Sequence, residues 1–295
     1  MKTVSIIAMP GKYGVQETLN AVIEWMRTHD GDVRITASLA EFVEHPLPDH
    51  IRIAGTEKEA IDGSDIVIAI GGDGTMLRTA RYVIGTRIPI LGINSGRLGF
   101  LSNTPQNQLH DALEQTMRGE YTIDTRWVLE SSDSLGNIHY ALNEFLFSKS
   151  SSASMIKLSA YFNDQFINTY WADGLIIATP TGSTAYNMSA GGPIVQPECD
   201  VMVLSPISPH TLTTRPLVLP GNGRITIRSE HPKHEVLFSK DGENADIETN
   251  RIEVQVMRSK HTIDLIQLPG QHYFDTLRTK LMWGLDLREQ NGSSQ

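Results

Sequence analysis

The residues Asp65-Ile-Val-Ile-Ala-Ile70 run directly into Gly71-Gly-Asp-Gly-Thr75, and this junction constrains the fold more than any other stretch. An apolar, mostly β-branched run reads as a buried strand of a parallel sheet. Met76 to Ile84 follows with helical spacing, so the glycine loop stands where a strand ends and a helix begins. Open α/β sheets bind anions at such places, because helix amides point outward there. A carboxylate at the tip is therefore conspicuous. Asp73 repels phosphate unless a metal ion or a substrate hydroxyl occupies it.

A chain of 295 residues with 40% hydrophobic and 20% charged residues has room for two globular domains or one large α/β domain. No apolar run reaches the roughly 18 residues that a membrane-spanning helix needs. Met1 to Met9 resembles a short signal segment but reaches Pro10-Gly11 too soon, which suits a first β-strand. Cys199 is the single cysteine; no intramolecular disulfide is possible, and a cytoplasmic setting is expected. The net charge of -9 argues against nucleic acid, whose binding depends on clustered Lys and Arg. A phosphorylated small molecule remains open, held by backbone amides, a few basic groups and a divalent cation.

The first 120 residues alternate strand and helix. Val4–Met9 and Ile88–Ile93 read as strands, while Val15–Thr28 and Gln106–Arg118 read as amphipathic helices. Strand, helix, strand between Asp65 and Ile93 makes a βαβ unit and predicts parallel pairing. From Tyr121 the pattern changes to consecutive short strands: Tyr121–Glu130, Asn137–Phe147, Ser154–Phe162 and Gln165–Tyr170. Arg224–Ser229, Glu235–Phe238, Arg251–Met257 and Thr262–Leu268 continue it. The fold class expected is an α/β N-terminal domain with a parallel-type sheet, over 1–120. A β-rich, sandwich-like C-terminal domain covers 121–270. In the remaining segment, 271–295, Phe274, Leu277 and Leu281 share one helix face expected to dock back on the first domain, and the Asn291–Gln295 tail is expected to be disordered.

Familiar nucleotide motifs fail. There is no GxxxxGK[ST], Pro10-Gly-Lys-Tyr-Gly14 is too loose for GxGxxG, and neither HExxH nor paired cysteines occur. What remains is Gly71-Gly-Asp-Gly-Thr75, whose glycines allow amides to approach phosphate closely. Asp73 could accept a hydroxyl proton, orient that hydroxyl, or hold Mg²⁺; a tight turn with Asp73 as a cap is the structural alternative. Asn94, Gly96 and Arg97 follow the next strand and can face the same crevice. Asn143-Glu144 interrupts an apolar strand with two polar groups that suit vicinal hydroxyls; a purely structural pair, one residue capping a turn, is the reading their local sequence favours. In Asp173–Pro193, a buried strand ends at Thr179-Pro180. Thr181, Ser183 and Thr184 then supply hydroxyls, Ala185 to Ala190 supplies a turn or two of helix, and Tyr186 can stack on or close a pocket; a hydroxyl-rich helix cap is the alternative. His210, Arg215 and Asp241 are ligand contacts or loop-fixing groups.

Taken in order, these segments resemble the bacterial NAD kinase family over nearly the whole chain. The glycine loop alone is shared with diacylglycerol, sphingosine and phosphofructokinase relatives, whereas the full order of motifs is specific. The resemblance implies phosphoryl transfer from ATP to the adenosine-ribose 2′-hydroxyl of NAD, with Mg²⁺ or another divalent cation held mainly by the ATP phosphates. It implies Asp73 as base or orienting group, and a phosphate loop of Gly71, Gly72, Gly74, Thr75, Asn94, Gly96 and Arg97. NAD contacts would fall to Asp73, Gly74, Asn143, Glu144, Asp173, Thr181, Thr184, Ala185, Tyr186 and Ser189, with Asp241 supporting them. It further implies a cleft between two domains, and a homodimer or homotetramer whose neighbouring subunit contributes to the site. No nucleic acid or membrane partner is implied. Trp171 stands where many members carry arginine, and Glu243 follows Asp241-Gly242 where glutamine is usual. A lipid or sugar kinase with the same loop, or a non-catalytic NAD(P)-binding regulator, are the competing readings.

Overall fold

A computed structural model describes residues 2–29, 31–96, 98–133, 136–150, 154–229, 236–245 and 252–283. The described residues form two compact units, one up to Asp124 plus those from Asp264 onward, the other Thr125–Ile263.

The first unit opens with β1 (Thr3–Ala8), α1 (Val15–Arg27), β2 (Asp32–Thr36), α2 (Ala37–Ala40), β3 (Ile51–Ala54) and α3 (Glu57–Ile61). It continues through β4 (Ile66–Ile70), α4 (Asp73–Val83), β5 (Ile90–Asn94), β6 (Thr104–Pro105) and α5 (Leu109–Arg118). Helix α1 buries Val15, Leu19, Val22, Ile23 and Met26, a three-and-four spacing that puts one stripe against the sheet. Strands β4 and β5 are buried at every position, as expected of parallel strands covered on both faces. The strand order is β5-β4-β1-β2-β3, all parallel. The chain winds outward from β1 to β3, then returns to lay β4 on the other side of β1. That reversal opens a crevice at the carboxyl ends of β1 and β4.

The second unit is antiparallel. Its strands are β7 (Thr122–Ser132, whose first residues lie in the first unit), β8 (Ile138–Ala141), β9 (Glu144–Lys149), β10 (Ile156–Phe162), β11 (Gln165–Ala172) and β12 (Gly174–Ala178). A 3₁₀ turn at Thr181–Thr184 and the single-turn helix α6 (Tyr186–Ser189) follow. After them come β13 (Val201–Ile207), β14 (Leu217–Pro220), β15 (Arg224–Ser229), β16 (Val236–Lys240), β17 (Glu243–Asn244) and β18 (Ile252–Gln267). One sheet runs β14-β13-β12-β9-β16-β17; β11, β10, β15 and β18 form another, with β7 beside β18 and β8 beside β7. Phe145, Phe147, Leu175, Ile177 and Leu204 of the first sheet share a core with Leu158, Ala160, Ile225, Ile227 and Val254 of the other. Alternate side chains of each strand fill that core, which is how a sandwich is built.

The α/β first part and the β-rich second part agree with the sequence reading; several boundaries do not. Helix α4 starts at Asp73, so most of the glycine loop is its first turn. The predicted strand Asn137–Phe147 is two strands, β8 and β9, because Asp241 takes the amides of Leu142, Asn143 and Glu144 out of ladder pairing. Arg251–Met257 and Thr262–Leu268 are joined as β18, which begins in the second unit and ends in the first; Leu265 pairs with Ile90 of β5. Strands β2, β3, β13 and β14 add to the strands read from the sequence. Helix α7 (Tyr273–Leu281) belongs to the first unit, with Leu277 buried and the Lys280 ammonium 5.7 Å from the Phe100 ring centroid. Glu235, Arg251 and the Asn291–Gln295 tail lie outside the described residues. Among the described residues, no helix is long and apolar enough to cross a membrane.

Candidate active site

In the first unit, the register pairs Ala8 with Ile70 and Ile70 with Ile93. The carboxyl ends of β1, β4 and β5 are therefore level, and three loops leave the sheet side by side. The loop after β1, residues 10–14, turns through Gly11 and Gly14, both with left-handed φ. Gly14 abuts the carbonyl of Ser95 so closely that a Cβ would collide with it. The β1 and β5 loops are thus in contact, with the β4 loop arising between them. A groove of about 570 Å³ is lined by Lys12, Tyr13, Gln16 and Asn20 among others. Pro10–Gly14, which lacks the GxGxxG pattern, is part of this edge because β1 pairs with β4 and Gly14 meets Ser95.

Gly71 has φ of +147° and packs against the Thr75 side chain, which only glycine permits without strain. The Thr75 hydroxyl is buried and has no hydrogen-bond partner. Gly72 precedes α4 in extended conformation without capping it by a side chain. Asp73 instead turns to the loop after β5. Its Oδ2 accepts the N–H of Phe100 at 3.0 Å, and its Oδ1 accepts those of Leu101 at 2.9 Å and Ser102 at 3.2 Å. The same loop is tied from its other side. The Asn94 side chain donates to the Ser102 carbonyl and accepts from Gly96 N–H, and the Ser102 hydroxyl donates to the Gly71 carbonyl. Asn94 is therefore used in folding the loop. Arg97 lies outside the described residues.

The second unit repeats the device. Asp241, at left-handed φ in the β16–β17 turn, accepts the N–H groups of Leu142 at 2.8 Å, Asn143 at 2.8 Å and Glu144 at 3.1 Å. On the opposite side, the Thr179 N–H donates to the Asn143 carbonyl, and the Thr179 hydroxyl donates to the Leu142 carbonyl. Gly182 packs against Asn143 where any Cβ would clash. Clamped from both sides, Glu144 is 8% exposed. One carboxyl oxygen accepts the Tyr186 N–H, and Oε2 is buried with no partner. Burial, then the nearby Asp241 charge, push the Glu144 carboxyl up to about 8; the Tyr186 N–H pulls the other way.

The hydroxyls of the 181–184 turn largely build the turn itself. Arg126 donates to the Thr181 hydroxyl, Ser183 exchanges hydrogen bonds with the Val195 backbone, and Thr184 donates to the Thr181 carbonyl. Asn187, fully buried, ties Ser183, Pro193 and the Ser205 hydroxyl together. Tyr186 is left 43% exposed beside them, with Ala185 and Ser189 flanking it. Asp173 is elsewhere. Ala178 pairs with Glu144 at one end of β12, and Asp173 precedes the other end, about 16 Å along the strand. There it pairs with Lys149 at 2.6 Å. His210 donates its backbone N–H to the Trp171 carbonyl, a loop-fixing contact.

The first unit is thus a parallel sheet with a glycine turn at its switch point, the class of α/β fold that binds ligands at its sheet edge, and the second is a β sandwich with a clamped buried acid. The chain matches the ATP-NAD kinase N-terminal domain over residues 4–121 and the ATP-NAD kinase C-terminal domain over residues 142–268. The NAD kinase of Porphyromonas gingivalis is 36% identical over 289 residues, 98% of this chain and 100% of that one. The NAD kinase of Cytophaga hutchinsonii is 40% identical over 236 residues, 79% and 80% of the two chains. Yeast NADH kinase complexed with NADH has the same fold, at TM-score 0.86 and 24% identity over 96% of this chain and 88% of that one. So has the NAD kinase from Archaeoglobus fulgidus in complex with ATP, at 0.73 and 23% over 95% and 98%. The chain belongs to the ATP-NAD kinase family.

Proposed function

We propose that this chain transfers the γ-phosphoryl group of ATP to the adenosine-ribose 2′-hydroxyl of NAD, forming NADP and ADP. The observation that carries the reading is the placement of Asp73. It is the one acid in the glycine turn at the switch point, held rigidly by three amides and flanked by the two other loops of the sheet edge. Such a loop can hold phosphates by its amides, and a carboxylate beside it has use for a hydroxyl.

In the step proposed, the 2′-oxygen forms a bond to the γ-phosphorus as the bond to the β,γ-bridging oxygen breaks and ADP leaves. A carboxylate offers about four lone-pair positions. Three are engaged by the loop, so one on Oδ2 is left to orient the ribose hydroxyl and receive its proton. The Gly71 and Thr75 N–H groups donate to the Ile93 and Gly72 carbonyls, so the amides of Gly72 and Gly74 are the ones proposed to meet the donor phosphates, and Lys12 adds a positive charge to the same edge. Phosphoryl transfer depends mainly on such alignment and charge neutralisation. Among the described residues there is no group of three or more His, Cys, Asp or Glu able to hold a metal. A divalent cation would be held mainly by the ATP phosphates, where it would neutralise charge on the transferred group.

Asn143 and Glu144 take the ribose side of NAD, Tyr186 with Thr184, Ala185 and Ser189 the adenine, and Asp173 the nicotinamide end. The active form proposed is a cytoplasmic homodimer or homotetramer. Trp171 and Phe166 on edge strand β11, and Leu217 and Val218 on edge strand β14, are exposed apolar groups of the kind that subunit contacts cover. Purified protein with NAD, ATP and Mg²⁺ should yield NADP in an NADP-specific assay. NAD binding without NADP from ATP or any other phosphoryl donor would instead make the chain a regulator.

A further inference from the structure

Glu144 and Asp241 are neighbouring acids with unequal support. Asp241 has three amide donors; Glu144 has the Tyr186 N–H alone, and its Oε2 is buried without a partner. Two carboxylates side by side in a desolvated setting oppose each other's charge, and the better-solvated one keeps it. Among the described residues, the charged group that acts on Glu144 is Asp241, and its effect is not to compensate but to oppose the Glu144 charge. Strand β12 places Ala178 opposite it, α6 contributes the Tyr186 amide, and the β16–β17 turn brings Asp241, the charged group that acts on it. Lys240 and Glu243, of opposite sign, flank Asp241 on that turn.

We propose that Glu144 serves as a neutral carboxylic acid whose Oε2–H is donated to an acceptor oxygen of the bound dinucleotide. The pocket then meets an anionic ligand with one negative charge in place of two, and a hydroxyl oxygen finds a donor where a carboxylate would offer only acceptors. Burial and the Asp241 field hold the group in this form up to about pH 8. This deepens the NAD kinase reading and rests on it for the identity of the ligand.

The test has one arm with ligand and one without. Calorimetry of NAD binding, in buffers of different ionisation enthalpy, should show uptake approaching one proton above about pH 8, with affinity falling up to tenfold per pH unit. Glu144→Gln should abolish both the uptake and the slope. Without ligand, the infrared difference between wild type and Glu144→Gln should contain a neutral-acid carbonyl band at neutral pH that disappears on alkaline titration. Asp241→Asn should shift that disappearance to lower pH, because removing the neighbouring negative charge eases the ionisation of Glu144; a disappearance that stays at the wild-type pH would count against the proposal. No such band, or a binding slope that survives in Glu144→Gln, would overturn the proposal. A band with no NAD binding would leave the neutral acid in place and sink the choice of ligand instead.

Discussion

Oδ1 of Asp73 rests against the Cα of Gly99, where any β-carbon would collide with the carboxylate. The residue proposed to orient the acceptor hydroxyl is thus positioned by a glycine 26 places further along the chain. Gly99→Ala should displace the carboxylate and the amides of Phe100 to Ser102 together. We expect turnover to fall about 10²-fold, the scale of a misplaced catalytic group, with the fold retained in circular dichroism. Near-normal turnover in that variant would show that the spacing is not critical.

Asp73→Asn tests the carboxylate itself. It should lower kcat by about 10²–10⁴-fold, the range of general-base contributions, while NAD affinity by calorimetry changes little. The loop loses part of its anchor as well, so stability should drop by about 1–3 kcal/mol in denaturant titrations. Turnover close to wild type would exclude Asp73 from the proposed step.

Lys12 separates the donor from the acceptor. Removing its charge in Lys12→Ala should raise KM for ATP several-fold and leave KM for NAD nearly unchanged, because the β1 loop borders the proposed phosphate edge alone. Equal effects on the two substrates would remove the β1 loop from the donor site.

Asn187 offers a stability test away from the chemistry. Asn187→Ala would leave the Ser205 hydroxyl and two carbonyls without their partner in a fully buried position. A loss of about 2–4 kcal/mol is expected, read as a lowered midpoint in urea. A loss below about 0.5 kcal/mol, the scale of ordinary surface substitutions, would mean that the turn is held by other contacts.

The pH dependence of stability follows from Glu144. Its carboxyl titrates near 8 in the fold, against an ordinary value of 4.5, so the folded state binds more protons between those limits. Relative to Glu144→Gln, the wild-type protein should lose stability as pH rises from about 4.5 to about 8 and change little above that. A difference that stays flat across this window would contradict the burial of a titrating acid here.

Local chemistry was legible wherever a residue's role depends on its own neighbours in sequence. The β-branched run into three glycines specified a strand, a tight turn and a helix, and the change from helical spacing to short alternating strands marked the two architectures. Asn143-Glu144 stood out because polar residues are costly in an apolar strand. The tertiary structure alone decided which amides Asp73 and Asp241 would hold, since their partners lie 27 to 29 and 97 to 99 residues away. Spacing along a chain carries no information about hydrogen bonds closed over such distances. The same limit hid the Pro10–Gly14 loop, which matters through parallel pairing of β1 with β4 rather than through any motif, and the long β18, whose pairing partners come from both units. The acid at Glu144 was visible as a letter; its burial, and the charge set beside it by a distant turn, come from the fold.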